Sequence, residues 1–333
     1  MSKENKSAIR IFFEGLRIYC VNIHKFILYM AFPVLGQMLG IFMVFGFTFW
    51  YSQNYQDLIL KYPALKEMTT MLVFVIACSI PGLLILTKAL WDYLVAYVSL
   101  NSMTEGYLNT GKVYDFKAHK AVVYKKTFSF IALWFLFGMF SIIGSIPIFW
   151  ILAFIFFIYF ILIFQVFTFE NGLSPIGYFR RSLEITKGKF SKTLLLAALL
   201  FIVTYILLPS GFGVIFDFLN WTESLSKTFE TWAYTLPLES VEQFGITPAL
   251  IGHLLAKQPA YLAIIGFTLP LRSICWTLWY QNLAEPIEKP KKITRKPKKT
   301  SSKTNKLPEN FKIEKRGIDP EIIRRARLED DEY

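Results

Sequence analysis

The sequence predicts an all-α, polytopic membrane protein with six transmembrane helices, arranged as three units of an interfacial amphipathic helix followed by a transmembrane hairpin. Three observations carry that expectation. Uncharged runs from Phe26 to Trp50, Thr127 to Phe169 and Thr193 to Phe216 each reach the roughly 20 helical residues that cross a hydrocarbon core about 30 Å thick. A composition that is 54% hydrophobic and 17% aromatic carries more apolar surface than a water-soluble core could hide. The segments between the runs alternate between basic and weakly acidic, the charge pattern of loops on two sides of a membrane.

The elements follow in order. Residues 1–25 form an N-terminal interfacial helix, because Ile9, Phe12, Phe13, Leu16, Cys20 and Ile23 recur at helical spacing while Arg10, Glu14 and Arg17 fall on other faces. The charged start and the length of the next run do not fit a cleaved signal peptide, so span one, 26–50, is expected to be retained. Span two, 71–100, is uncharged to Thr87, meets Lys88 and Asp92, and stays apolar to Leu100. It is longer than the bilayer is thick, so tilt or projection is expected, with a kink at Pro81-Gly82. The run Thr127 to Phe169 is 43 residues, about twice one span. Gly144, Ser145 and Pro147 near its middle permit a reversal, giving spans 127–144 and 147–169.

Span five is 193–216, and span six, 259–284, contains Pro270 and Arg272. Between them, 217–258 is expected to be an external helical loop, with helical signals at Thr222 to Tyr234 and Thr247 to Lys257. The segment 285–333 reads as a basic, mostly disordered tail, rich in Lys, Pro, Thr and Ser, with a short helix opened by Asp319-Pro320.

Charge sets the expected orientation. Segments 1–25, 100–126 and 169–192 together hold fifteen Lys and Arg, and the tail holds fifteen more. Segments 51–70 and 217–258 hold only Lys61, Lys66, Lys227 and Lys257. Positive charge is retained in the cytoplasm, so both termini are expected there, in a bacterial cytoplasmic membrane.

The first and third amphipathic segments superimpose at a fixed offset: Ile9 on Ile176, Phe12 on Phe179, Leu16 on Leu183, Ile18 on Ile185 and Ile23 on Phe190. The middle segment, with Val113, Phe116, Val123 and Phe128, fits more loosely. In the third, Ser174 and Pro175 are suited to start a helix and Gly188 to end it. Arg180, Arg181, Lys187 and Lys189 are placed to reach lipid phosphates while Ile176, Phe179 and Leu183 face acyl chains.

The string Glu170-Asn-Gly-Leu-Ser-Pro-Ile-Gly-Tyr-Phe-Arg-Arg-Ser-Leu-Glu-Ile-Thr-Lys-Gly-Lys-Phe190 resembles the E-G-x-x-x-x-x-A-x-x-R-S-x-x-L-T-K-G-x-F pattern of a bacterial six-span family. That family includes the membrane domain attached to some glycerophosphoryl diester phosphodiesterases. Pro270 and Thr277-Leu-Trp-Tyr280 resemble its closing segment, although Gln281, Asn282 and Leu283 stand where Asp-Leu-Arg often follows. The resemblance covers roughly residues 7–284 and is specific over Glu170 to Phe190. It implies six spans and elbow contacts through Pro175, Arg180, Arg181, Ser182, Lys187, Gly188 and Phe190. It implies no phosphodiesterase activity, since the segment after span six has no room for a catalytic domain.

The residues point to little chemistry of their own. His24, His119 and His253 are isolated, with no HExxH, GxSxG or Walker loop, and Cys20, Cys78 and Cys275 lack CxxC spacing. No cofactor is expected. Lys88, Asp92 and Arg272 are the only charges within the spans, and a charge in lipid demands a partner. Lys88 and Asp92 are four apart and can pair. Arg272 would want a carboxylate, a polar cavity or backbone freed at Pro270.

The expected function is therefore non-catalytic, an accessory or organising role in bacterial membrane or envelope homeostasis. The alternative is a transporter or lipid-handling protein with a polar cleft around Arg272, Lys88 and Asp92. Expected partners are membrane lipids, above all anionic head groups, and a protein partner for the tail rather than nucleic acid.

Overall fold

A computed structural model describes residues 6–113, 116–234 and 245–284. The expected basic tail, its helix at Asp319, and part of the external loop lie outside the described residues. Every regular element within them is helical, and six stretches are long and apolar enough to cross a membrane: Ile23–Lys61, Met68–Thr110, Thr127–Gly144, Pro147–Phe169, Phe190–Phe218 and Pro248–Leu283. The chain is a multi-pass membrane protein.

Helices α1 (Ala8–Val21) and α2 (Ile23–Lys61) are joined at Asn22, and α2 turns through a 3-10 segment at Pro63–Lys66 into α3 (Met68–Thr110). At 39 and 43 residues, α2 and α3 run about 58 and 64 Å at about 1.5 Å per residue. Both overrun the expected spans 26–50 and 71–100, so most of the 51–70 connection is helical. The two lie backbone against backbone. A Cβ added at Gly40 would sit 2.7 Å from the Leu86 amide nitrogen and 2.8 Å from the Gly82 carbonyl, and one at Gly36 would sit 2.9 Å from the Ala89 Cβ. Gly36 and Gly40 are four apart on one face, the spacing that lets membrane helices approach closely.

The next helices are α4 (Phe116–Tyr124), α5 (Thr127–Gly144), α6 (Trp150–Phe160) and α7 (Ile163–Phe169). The reversal falls where Gly144 and Pro147 placed it, with a 3-10 turn at Pro147–Phe149. Span four is not one smooth helix but two pieces, separated at Ile161–Leu162.

Helix α8 (Pro175–Thr186) starts on the Ser174 cap, whose Oγ accepts from the Gly177 amide, and the chain leaves it through Gly188 at φ 74°. Helix α1 starts on Ser7, whose Oγ accepts from the Arg10 amide in the same i to i+3 pattern. The repeat thus extends to the caps, since Ser7 and Ser174 stand at the same offset as Ile23 and Phe190, the first residues of α2 and of α9 (Phe190–Phe201).

Helix α1 runs antiparallel along the end of the chain, and this was not expected. Lys6 meets Asn282, Gly15 packs against the Cys275 Sγ, and the Tyr19 hydroxyl donates to the Phe267 carbonyl at 3.0 Å. Burial pushes the Tyr19 phenol up to about 12, keeping it the protonated donor. The expected single stripe is divided: Phe12 is buried with Ile11, Ile18 and Tyr19, whereas Ile9, Phe13 and Ile23 are exposed. The helix has two apolar faces because it serves two surfaces.

Span five continues from α9 through a π-helical segment, Ile202–Leu207, into α10 (Leu208–Phe218). Helix α11 (Trp221–Ala233) packs on α12 (Pro248–Phe267), which breaks at Thr268 into α13 (Leu269–Leu283). The helical signal at Thr247 to Lys257 is not a separate piece of an external cap. It is the first half of α12, which runs through Pro259 without stopping, because a proline there still leaves the following turns intact. The last span is the hub, with 72% of its most apolar stretch buried against 11 to 33% in the other five.

Candidate functional site

The three intramembrane charges do not converge on one cleft. Lys88 pairs with Asp92 at 2.6 Å, with the lysine side chain 59% exposed and the aspartate 6%. The lysine ammonium also lies over the Phe32 ring, 5.7 Å from its centroid. Among the described residues no ion pair joins Arg272 to Asp92 or to any other carboxylate.

Arg272 is placed by the break in the last span. Pro270 has no amide hydrogen, so the helix ladder is interrupted and carbonyls just upstream are released. The Ile265 carbonyl accepts from the Thr268 hydroxyl and from Arg272 Nη2, each at 2.9 Å. This is the freed-backbone contact that the sequence allowed. It accounts for one nitrogen. Nε and Nη1 are buried and make no well-formed hydrogen bond among the described residues.

Around the guanidinium stand aromatic rings. Its carbon lies 4.6 Å from the centroid of Tyr205, which belongs to the π-helical segment. Tyr93 and Tyr97, one turn apart on α3, lie within its electrostatic reach, and the Tyr93 hydroxyl is close enough to share a hydrogen bond with the guanidinium. A π segment inserts an extra residue into a helical turn and re-aims the side chains on it.

Directly beyond Tyr93 and Ile265 lies a cavity of about 590 Å³ between α2, α11 and α12, within the range of sites that hold small molecules. Its walls are apolar, with Met38, Phe42 and Phe45 from α2, Phe229 and Trp232 from α11, and Leu262 from α12. Gln37, Gln258 and Thr228 are its few polar residues besides Tyr93. At its narrow end α12 meets α2 closely, since a Cβ on Gly266 would sit 2.6 Å from the Val34 Cγ2.

The elbow residues expected to touch lipid divide, with Arg181, Ser182 and Phe190 engaged by contacts within the fold. Ser182 is fully buried and donates to the Tyr159 carbonyl at 2.9 Å, and Phe190 packs against the Tyr159 ring. Arg181 bonds both oxygens of the buried Glu170 carboxylate at 3.1 Å. Lipid contact is thus excluded for Ser182 by burial, and Arg181 is turned from lipid phosphate by a fixed carboxylate inside the fold. Arg180 is largely exposed and paired with Glu184, and Lys187 and Gly188 are exposed as well. Pro175 occupies the first turn of α8, and Lys187 and Gly188 form its exit.

Two polar knots were not anticipated. Glu170 also accepts from the Tyr280 hydroxyl at 2.9 Å, tying α8 to α13. Deeper, the Asn101 Oδ1 accepts from Ser273 at 2.6 Å, Gln165 at 3.2 Å and Thr277 at 3.3 Å, while its amide donates to Thr168 at 3.2 Å. These are small polar residues inside apolar runs, the one sequence signal that could have pointed to them.

Lys126 sits beside the same region. Its ammonium donates to the Phe167 and Glu170 carbonyls at 2.9 and 3.1 Å, closing the end of α7, and lies over the Phe167 ring. Burial lowers its amine from the usual 10.5 to about 8.

No protein-family model, curated protein or solved structure matches the chain. The likeness of Glu170 to Phe190 to the six-span family therefore rests on those residues alone, and function has to be read from the chemistry of the fold.

Proposed function

We propose that this chain is a non-catalytic lipid-handling protein of the bacterial cytoplasmic membrane, with both termini cytoplasmic, that holds a membrane amphiphile between α2, α11 and α12. The observation that carries this reading is the apolar cavity of about 590 Å³, set between two membrane-spanning helices and the loop helix α11 and lined by Phe and Met side chains. An apolar space next to lipid is filled by acyl chains, because leaving it empty forfeits dispersion contacts on every wall. The excess of Lys and Arg on the α1, α4 and α8 side supports the orientation. An organising role through the elbows and tail is the alternative, and in the α8 elbow Arg181, Ser182 and Phe190 are taken up by internal contacts while Arg180 and Lys187 are exposed.

The test is photo-crosslinking with a phospholipid whose acyl chain carries a diazirine, followed by peptide mapping. Crosslinks concentrated on Phe42, Phe229 and Leu262 are expected. A Gly46→Phe variant should remove them, because Gly46 lines the cavity and a Cβ there meets nothing within 4 Å. Labelling spread evenly over the exposed faces of α5 and α6, and unchanged by Gly46→Phe, would overturn the reading.

A further inference from the structure

We propose that Arg272 receives the carboxylate of a long-chain fatty acid whose hydrocarbon chain lies in the cavity between α2, α11 and α12. This rests on the lipid-handling reading and adds the chemical class of the ligand. Four independent features converge on one place.

The first is unspent donor capacity. Arg272 is only 6% exposed, its Nη2 is bonded to a carbonyl and the Tyr93 hydroxyl approaches the guanidinium, yet Nε and Nη1 make no well-formed hydrogen bond and no carboxylate among the described residues pairs with it. A buried cation without a counter-ion is costly to hold out of water, and a cation over an aromatic ring recovers only part of that cost. An anion fills that deficit, and the described chain offers none.

The second is continuity. Tyr93 and Ile265 belong both to the surroundings of Arg272 and to the cavity wall, so the cation lies behind that part of the wall and one residue's thickness from the apolar space. The third is the backbone. Two deviations from regular α-helix, the π-helical segment that carries Tyr205 and the break at Thr268 before Pro270, fall on either side of the same guanidinium. Such π segments are frequent at functional sites. The fourth is size. One nearly sealed arginine balances one negative charge, which fits a carboxylate better than a phosphate with its bulk and second charge. A cavity with few polar groups takes the chain.

The experiment uses the full chain, stripped of lipid and placed in nanodiscs of neutral phospholipid. Binding of palmitate, hexadecanol and lysophosphatidic acid is measured by equilibrium partition of radiolabelled ligand. Wild type is expected to bind palmitate at least about tenfold more tightly than hexadecanol, the scale of one charge-assisted hydrogen bond. Arg272→Gln should erase that preference while leaving hexadecanol binding in place, and Gly46→Phe should remove both ligands.

Equal binding of palmitate and hexadecanol in wild type would sink the arginine assignment and leave the cavity reading standing. Binding of neither ligand would sink both. An Arg272-dependent preference for lysophosphatidic acid would replace the carboxylate by a phosphate head. Because Arg272→Gln could also fail to fold, a second measurement uses wild type alone: the ¹³C-carboxyl resonance of bound palmitate should titrate at lower pH than palmitate in empty nanodiscs. A midpoint equal to or above that of the free lipid overturns the proposal.

Discussion

The two halves of the last span differ sharply in how much of each is buried. In α13, eleven of fifteen residues are buried, among them Arg272, Ser273, Thr277, Trp279 and Tyr280. In α12, three of twenty are buried, Gly252, Ala256 and Gly266, and all three are small. The inner half is fixed by directional bonds that accept few substitutes, whereas the outer half touches its neighbours through close-approach glycines and flexible apolar side chains. Rigid and adaptable regions of one protein commonly divide this way, with ligand sites drawn from the less stable part. The cavity opens in the adaptable half and the arginine stands at the junction.

Substitutions can break or sharpen that contrast. The largest effect should come from Glu170→Leu, which strands Arg181 and the Tyr280 hydroxyl in the dense half. Loss of a buried charge partner costs about 3 kcal/mol, softened by Glu184, which reaches Arg181 Nη1 at 3.5 Å. Unfolding followed by circular dichroism during SDS titration would read it, and a shift below the error of the method would mean that the knot is not a source of stability.

Asn101→Leu comes next. It removes one acceptor shared by three donors, at about 2 kcal/mol given that polar bonds between membrane helices are worth about 0.6 to 1.7 kcal/mol each. The same titration applies, and the double variant with Thr277→Val should cost no more than Asn101→Leu alone. On the other side of the contrast, Phe42→Ala widens a cavity that is already open, so its cost should stay below about 1 kcal/mol, far from the usual 3 to 5 kcal/mol for a packed phenylalanine. A loss like that of a packed core would show that the outer half is as tightly determined as the inner.

The last effect is a pH dependence, spread over the interval between two titrations. The folded Lys126 amine titrates near 8 and its unfolded value is the ordinary 10.5. The unfolded chain therefore binds more protons between those values, and stability should rise as pH increases from about 8 to about 10.5. Lys126→Gln should flatten that slope. Competitive acetylation of Lys126 with a midpoint near 10.5 would contradict the lowered value.

Much of the fold was legible because lipid imposes a coarse rule. Uncharged length marked spans one, three, four and five, long apolar runs broken by few charges marked the other two, and Gly144, Pro147, Ser174 and Gly188 marked turns by backbone chemistry that acts locally. What failed to show was anything that depends on partners far along the chain. Asn101 meets Gln165, Thr168, Ser273 and Thr277, which periodicity cannot bring together. The stripe on α1 announced an apolar face without saying that α13 would cover it. Lys257 and Pro259 looked like a boundary, yet Lys257 stays in the helix beside Asp217 at 3.7 Å. Gly36 and Gly40 carried a close-packing signal that charge counting passes over. Arg272 stood out at once as an isolated charge, but its tyrosines come from two other helices and no spacing rule links them.

The clasp between Lys6 and Asn282 sets a timetable for biogenesis. The Lys6 amide donates to the Asn282 side chain at 2.9 Å and its carbonyl accepts from the same amide group at 3.2 Å, across 276 residues of sequence. At about 5 to 20 residues per second of synthesis, α1 leaves the ribosome roughly 14 to 55 seconds before its docking partner exists. Through that interval Ile11, Phe12 and Ile18 lack the cover that the last span completes, and a helix apolar on two faces has to stay unfinished until that span is made.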